Sequence, residues 1–230
     1  MIKTKKRGNL LIISGTTCAG KGTVIKELLK NDPNKVLSVS YTSRPIRKGE
    51  KEGFDYFYIT KEEFEEKIKN NDLLEYETVH FDHYYGTPKD KTEKFLSEGR
   101  DVILEIEVNG AKKIKELMPE TILIFILAPS MSEVKERIKS RLAEKPEQII
   151  KRFETAYREI NEINKYNYVV VNDNLDLAVK KVEAILLSEK CRVDRIEDIY
   201  VENKEEIIHE FLMGKEFDNE VRSLTDNETK

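Results

Sequence analysis

Residues 10–23 read LLIISGTTCAGKGT, an apolar run that leads into a loop framed by two glycines and followed by a lysine. The run over residues 10–13 is typical of a buried parallel strand. Gly15 and Gly20 allow the backbone to turn its N–H groups toward phosphate oxygens, and a helix beginning near Lys21 adds its positive N-terminal end. The lysine supplies a point charge for the β- and γ-phosphates. The pattern predicts a phosphate-binding loop and therefore nucleotide chemistry.

One position of this loop differs from the common motif. The hydroxyl that usually follows the lysine is replaced by Gly22, and a hydroxyl comes one residue later, at Thr23. The direct ligand of Mg²⁺ is therefore open, with Thr23 as one candidate. The residues that we expect around the nucleotide phosphates are Gly15, Thr16, Thr17, Cys18, Ala19, Gly20, Lys21, Gly22 and Thr23.

Composition narrows the class of protein. The net charge of the 230 residues is only −4, which argues against a general nucleic-acid binder. Two cysteines do not make a disulfide framework, and no apolar run is long enough to span a bilayer. We expect a soluble cytoplasmic protein that binds neither nucleic acid nor membrane.

Strand and helix patterns alternate along the chain, which favours an α/β fold whose parallel sheet is covered by helices on both faces. Residues 101–107 and 121–127 are typical strands, and residues 86–88, Gly-Thr-Pro, have the composition of a turn before a helix. In such sheets ligands bind at the carboxyl ends of the strands, where the glycine loop, Glu105 and Glu107 all fall.

A second anion site is indicated by residues 38–58, SVSYTSRPIRKGEKEGFDYFY. Arg44 and Arg47 are three residues apart around a proline, so two guanidinium groups can converge on one anion. Tyr56 and the more distant Tyr85 could add hydroxyl donors. A solvated basic loop with packed aromatic residues is the alternative interpretation of the same residues.

Several segments together resemble the guanylate kinase family, which phosphorylates GMP from ATP. The segments are SGTTCAGKGT, SVSYTSRPIRKGEKEGFDYFY, LLEYETVHFDHYYGT, ILEIEVNGA and VVNDNL, in the family's order over about residues 8–188. The resemblance implies a P-loop NTPase-type sheet in residues 1–190, with ATP and Mg²⁺. It also implies a small mixed α/β GMP-binding insert at about 40–90 and a helical lid at about 130–158.

The resemblance also implies roles for single residues. Ser40, Arg44, Arg47, Tyr56 and Tyr85 would hold the GMP phosphate, Glu75 and Thr87 would read the guanine, and Asn172 would lie on the adenine side. Glu107 would contact the guanine amino group or a Mg²⁺-bound water. A carboxylate suits guanine because N1–H and the N2 amino group are donors, whereas adenine has the reverse pattern.

Arg137, Arg141 and Arg152 match the arginines of the family's lid and, with Lys21, would stabilise the transferring phosphoryl group. A solvated helix face is the alternative for these arginines. Two other functions stay open: a kinase of another small phosphate ester, and a catalytically dead guanylate-kinase-like module that binds proteins.

The chain departs from the family's pattern at Cys18, and it ends in an acidic segment, residues 191–230. Cys18 stands where the family usually has glycine, and we expect it to be either a reactive thiol or a small buried filler. Residues 191–230 carry six basic and twelve acidic side chains. Within this tail, residues 204–213 have the pattern of one amphipathic helix, which would dock on the protein's own core or form a homodimer contact. The protein would be a monomer or a homodimer.

Overall fold

The computed structural model describes residues 3–4, 7–79, 83–140 and 146–198. The chain divides into two compact units, Lys6–Leu187 and a smaller one that joins Met1–Lys5 to Ser188–Lys230. The smaller unit contains a two-stranded antiparallel pair in which Lys3 lies opposite Asp198. The amphipathic pattern at residues 204–213 lies outside the described residues. In the described part of the chain, no helix is both long and apolar enough to cross a membrane.

The strands of the described residues are short, and most end at a loop that carries polar residues. They are β1 (Lys3–Thr4), β2 (Leu10–Gly15), β3 (Lys35–Leu37), β4 (Tyr41–Thr42), β5 (Phe57–Tyr58), β6 (Leu73–Val79), β7 (His83–Pro88), β8 (Asp101–Glu105), β9 (Ile122–Leu127), β10 (Tyr168–Val171) and β11 (Ile196–Asp198).

The α-helices lie between the strands of the main sheet, as the sequence pattern predicted, whereas β3 to β5 and β6 to β7 follow one another without a helix between them. They are α1 (Lys21–Asn31), α2 (Lys61–Lys69), α3 (Lys89–Ser97), α4 (Val108–Leu117), α5 (Met131–Ser140), α6 (Pro146–Asn161) and α7 (Leu175–Lys190).

The main sheet is parallel and has five strands in the order β10-β9-β2-β8-β3. Alternate residues of its central strand β2 point to opposite faces. Leu11 and Ile13 pack with residues of α1 and α7, whereas Leu10 and Ile12 pack with residues of α3 and α4. Because both faces are covered, β2 can be apolar at consecutive positions from Leu10 to Ile13. The predicted α/β fold with a parallel sheet flanked by helices is therefore confirmed.

A smaller mixed sheet lies between the third and eighth strands of the chain, in the order β5-β4-β7-β6. The turn predicted at residues 86–88 is wrong, because these residues belong to β7 and pair with β6. Gly86 is there for packing: a Cβ at this position would lie 2.9 Å from Cζ of the fully buried Phe64. The composition of a turn thus reflected a close approach between strand and helix α2.

Candidate active site

The glycine-framed loop joins β2 to α1 and folds around the lysine side chain. Lys21 Nζ donates to the carbonyl oxygens of Gly15, at 2.7 Å, and Thr16, at 3.4 Å. Gly15, Cys18 and Gly20 have positive φ angles of 151°, 64° and 88°. Two of these positions have glycine, which adopts such angles without strain, and Cys18 adopts one that costs a non-glycine residue about 1–2 kcal/mol.

Asn172, directly after β10, contacts this loop at Ala19. Its Nδ2 donates to the carbonyl oxygen of Ala19 at 2.8 Å, and the side chain is buried. A Cβ at Gly20 would lie 2.5 Å from the same nitrogen, so this glycine serves close packing as well as its backbone angle. The predicted phosphate loop and the predicted adenine-side asparagine are therefore in direct contact.

Three glutamates surround the lysine end of the loop. Glu105 is the last residue of β8, and its Oε2 would lie 3.6 Å from a Cβ at Gly22. Glu107, which was predicted to be in the strand, instead is the N-cap of α4 and accepts the first helical bond, from Ala111. Desolvation by the surrounding protein raises the pKa of the Glu105 carboxyl, and the positive charge of Lys21 partly opposes that shift.

Glu159, on α6, contacts the predicted phosphate loop and was not predicted from the sequence. Only 6% of it is exposed, and its Oε2 accepts a 3.0 Å hydrogen bond from the backbone N–H of Thr17. Burial and the facing carboxylate of Glu107 raise the pKa of Glu159 well above its usual range, although Lys21 and the Thr17 N–H oppose this. Helix α6 is thereby tied to the phosphate loop through a buried acidic group.

The three arginines that were predicted to lie in a lid are described only in part. Arg137 on α5 donates to the carbonyl oxygen of Cys18 at 3.3 Å and to Glu133 at 2.8 Å, so it reaches the phosphate loop. Arg141 lies outside the described residues. Arg152 belongs to α6, but its side chain is also outside the description. Cys18 is half-buried against a small apolar cluster that contains Ala128 and residues of α5 and α6, among them Phe153.

The second predicted anion site is built around a buried arginine. Arg44 is 6% exposed, and Glu50 accepts from both its terminal nitrogens at 2.7 Å. Arg44 Nε donates to the Tyr85 hydroxyl at 3.0 Å, and Nη1 also donates to the Pro45 carbonyl at 3.1 Å. Four of the five guanidinium N–H groups are engaged in this way.

Glu50 accepts hydrogen bonds from several groups of the loop that contains Arg44. Besides the guanidinium, it accepts from the backbone N–H of Arg47 and the hydroxyl of Tyr58, each at 2.8 Å. The hydrogen bonds from Arg44 lower the pKa of Glu50 to about 2, so it is a carboxylate at neutral pH. Arg44 also lies over the Tyr56 ring, 4.9 Å from its centroid. The structure therefore brings these side chains together, whereas a merely solvated loop would leave them apart.

The remaining phosphate candidates line the same region. Tyr56 and Tyr85 pack edge to face with ring centroids 5.6 Å apart. Burial raises the pKa of Tyr56 to about 12, so its hydroxyl keeps its proton and can donate. The Arg47 side chain is exposed, and Ser40 is half-buried next to β5, where its carbonyl accepts from Phe57.

The two residues predicted to read guanine are a buried pair across β6 and β7. Glu75 lies opposite Thr87 in the strand register, and Thr87 Oγ1 donates to Glu75 Oε1 at 2.7 Å. Glu75 is 8% exposed and Thr87 is fully buried. Burial raises the pKa of Glu75 to about 7, so the carboxyl changes charge close to neutral pH. A buried acceptor next to a hydroxyl is the arrangement that a base with two adjacent donors needs.

A sequence model of guanylate kinases matches residues 7–189. The chain belongs to the guanylate kinase family. The guanylate kinase of Clostridium perfringens strain SM101 is 52% identical over 211 residues, which cover 92% of this chain and 97% of that protein. The guanylate kinase of Caldanaerobacter subterraneus is 51% identical over 204 residues, covering 89% and 98% of the two chains. The crystal structure of guanylate kinase from Anaplasma phagocytophilum, 31% identical, superposes with a TM-score of 0.72 over 90% of this chain and 96% of that chain.

Two carboxylates that hold the predicted phosphate-binding loops together, Glu50 and Glu159, were not predicted from the sequence. Glu50 lies within residues 38–58, but its spacing from Arg44 does not show that the two side chains pair. Glu159 is 142 residues from Thr17 along the chain, so no local pattern connects them. Only the buried face of α6 could have singled it out.

Proposed function

We propose that this protein transfers the γ-phosphoryl group of ATP to GMP, and also to dGMP, giving ADP and the nucleoside diphosphate. Membership of the guanylate kinase family supports the reaction class. The observation that carries the choice of acceptor is the buried Glu75–Thr87 pair, because its carboxylate can accept from the N1–H and N2 amino donors of guanine, whereas adenine has the reverse pattern.

The donor nucleotide would bind at the loop between β2 and α1. Backbone N–H groups of Cys18 to Thr23 and the Lys21 ammonium would hold its phosphates, at the positive end of α1. The contact between Asn172 and Ala19 supports an adenine-side position for Asn172, since it ties β10 to the loop. Lys21 would then leave the carbonyl oxygens of Gly15 and Thr16 for phosphate oxygens.

The acceptor phosphate would bind near Arg44, Arg47, Tyr56 and Tyr85, with Ser40 at the edge. The fixed orientation of Arg44 supports this role, because a guanidinium held by Glu50 and Tyr85 is already in place when the anion arrives. The exposed Arg47 can move onto the phosphate at small cost. We expect dGMP to be accepted with GMP, because the residues proposed here contact the base and the phosphate, which the two nucleotides share.

Mg²⁺ fits the residues at the lysine end of the loop. Mg²⁺ prefers oxygen ligands, keeps several waters and is often held by one or two carboxylates with the substrate phosphates. Glu105 lies beside Gly22, and Glu107 follows at the N-cap of α4, so both could hold it through water, with the Thr23 hydroxyl as a further candidate. Bound there, the ion would neutralise charge on the β- and γ-phosphates.

Helices α5 and α6 would act as the lid over the phosphates. The contacts from Arg137 to Cys18 and from Glu159 to Thr17 support this, because each ties a lid helix to the phosphate loop. Closure over both nucleotides would exclude water, so that GMP and not water accepts the phosphoryl group. Arg137, Arg141 and Arg152 would supply positive charge to the equatorial oxygens in the transition state.

A reducing cytoplasm is the location that we propose, because two cysteines in 230 residues are too few for a disulfide framework. We propose a monomer or homodimer in which the acidic tail serves stability or assembly and not chemistry.

The decisive experiment is a coupled assay of ADP release with ATP, Mg²⁺ and each nucleoside monophosphate in turn. We expect turnover with GMP and dGMP and at least about 100-fold lower kcat/KM with AMP. Equal activity on AMP and GMP would contradict guanine recognition, and absence of turnover with every nucleotide would favour a binding module over an enzyme.

A further inference from the structure

The first turn of helix α4 contains a buried glycine, Gly110, whose backbone does not require glycine. Its φ is not among the positive angles of the chain, and it lies in regular helix between Val108 and Leu117. Glycine within a helix is less favourable than alanine. A reason other than backbone conformation is therefore needed for this residue.

The reason lies in the guanine pair. A Cβ at Gly110 would be 2.8 Å from Glu75 Oε2 and 3.2 Å from Glu75 Cδ, whereas the next neighbour, Ile106 Cδ1, would be at an ordinary 3.5 Å. The first distance is shorter than real Cβ contacts allow. An alanine would therefore force the carboxylate to move, while the rest of its surroundings could stay.

The carboxylate cannot move without losing its orientation. Its other oxygen is held by Thr87 at 2.7 Å, and the Glu75–Thr87 register is fixed by the β6–β7 pairing. The end of the side chain can rotate, and the higher helix propensity of alanine offsets part of the cost of the lost Thr87 bond. The rotation would, however, turn both oxygens away from the direction in which a base edge could meet them.

We propose that Gly110 is a specificity-determining position, which leaves space for the Glu75 carboxylate in the orientation that recognises the acceptor base. The proposal rests on the GMP kinase function proposed above. Gly110 is a positioning residue, since it acts through Glu75. Gly110 lies three residues after Glu107, the N-cap of the same helix α4.

The test is Gly110→Ala, with Lys112→Ala as a matched control on the exposed side of the same helix. We expect Gly110→Ala to raise the KM for GMP about 10- to 100-fold, to leave the KM for ATP within twofold, and to keep the melting temperature at or above that of the wild type. Lys112→Ala should change none of these. A Gly110→Ala variant with the wild-type KM for GMP would overturn the proposal.

A second-site measurement separates the Glu75 contact from general damage. In a Glu75→Ala background there is no carboxylate to displace, so adding Gly110→Ala should change kcat/KM for GMP less than twofold. If Gly110→Ala instead lowers the melting temperature, it should no longer do so in the Glu75→Ala variant. A loss of stability that persists in the Glu75→Ala variant would also overturn the proposal. The proposed function fails in a different way, namely if the wild type does not phosphorylate GMP.

Discussion

Replacing Glu75 by glutamine should stabilise the protein at alkaline pH while it weakens guanine recognition. The pKa of Glu75 is raised from 4.5 to about 7 by burial. Between these two values the folded state holds a proton that the unfolded state releases, so the free energy of unfolding falls as pH rises through that window. The isosteric amide of Glu75→Gln keeps an acceptor for Thr87 and removes this cost.

The size of the effect follows from the shift. A change of about 2.5 pKa units corresponds to about 3 kcal/mol of lost stability once the pH is above 7, and to about 1 kcal/mol at pH 5. Urea unfolding of Glu75→Gln and wild type should therefore differ by about 2 kcal/mol more at pH 8 than at pH 5. The reasoning would be refuted if the two differences were equal, or if the variant were less stable at pH 8.

The same titration should govern activity with the opposite sign. In the free enzyme only about one tenth of Glu75 is ionised at pH 6 and about nine tenths at pH 8, given the pKa of about 7. We expect kcat/KM for GMP to rise several-fold over this range. Glu75→Gln serves as the control, because it keeps the titration of the GMP phosphate, with a pKa of about 6. A wild-type profile identical to that of the variant would contradict a role for Glu75 ionisation.

Four further outcomes are expected. Lys21→Met should lower kcat at least about 100-fold with an unchanged melting temperature, because the lysine acts on phosphate and not in the core. Arg47→Ala should raise the KM for GMP about 10-fold and leave the KM for ATP unchanged, which initial-rate measurements will test. The stability should not change, because the Arg47 side chain is exposed. Alkylation should inactivate through Cys18, with protection by ATP, whereas Cys191→Ser should alkylate and lose activity like the wild type. Deletion of residues 191–230 should alter the melting temperature or elution volume and keep both KM values, and a folded truncation without GMP binding would refute this.

The main sheet could be predicted from the sequence because its signals are local. The buried run at residues 10–13, the glycine loop and the helix that begins at Lys21 each depend on neighbouring residues, and the structure has them in that order. The smaller sheet was harder to predict. Gly86 belongs to a segment with the composition of a turn, but its lack of a side chain serves the close contact with Phe64 of helix α2.

The end of β8 shows a similar limit. The predicted strand ran to Glu107, yet the strand ends at Glu105 and a helix follows. Glu107 itself has φ −72° and ψ 162°, an extended conformation that a sequence pattern cannot distinguish from a strand residue. Its role as an N-cap depends on the carbonyl bond to Ala111, and therefore on where α4 packs.

Two carboxylates that could not be predicted from the sequence, Glu50 and Glu159, contact the residues that we propose bind phosphate. Glu50 engages Arg44 with two hydrogen bonds, and Glu159 accepts from the loop at Thr17. Four of the five N–H groups of Arg44 are already paired, so the acceptor phosphate can use the remaining one on Nη2 or must exchange bonds with Glu50. Because such an exchange replaces one charge-assisted hydrogen bond by another, its net gain is small. Most of the affinity for GMP should then come from Arg47, the tyrosine hydroxyls and the base, while the Arg44–Glu50 pair supplies geometry.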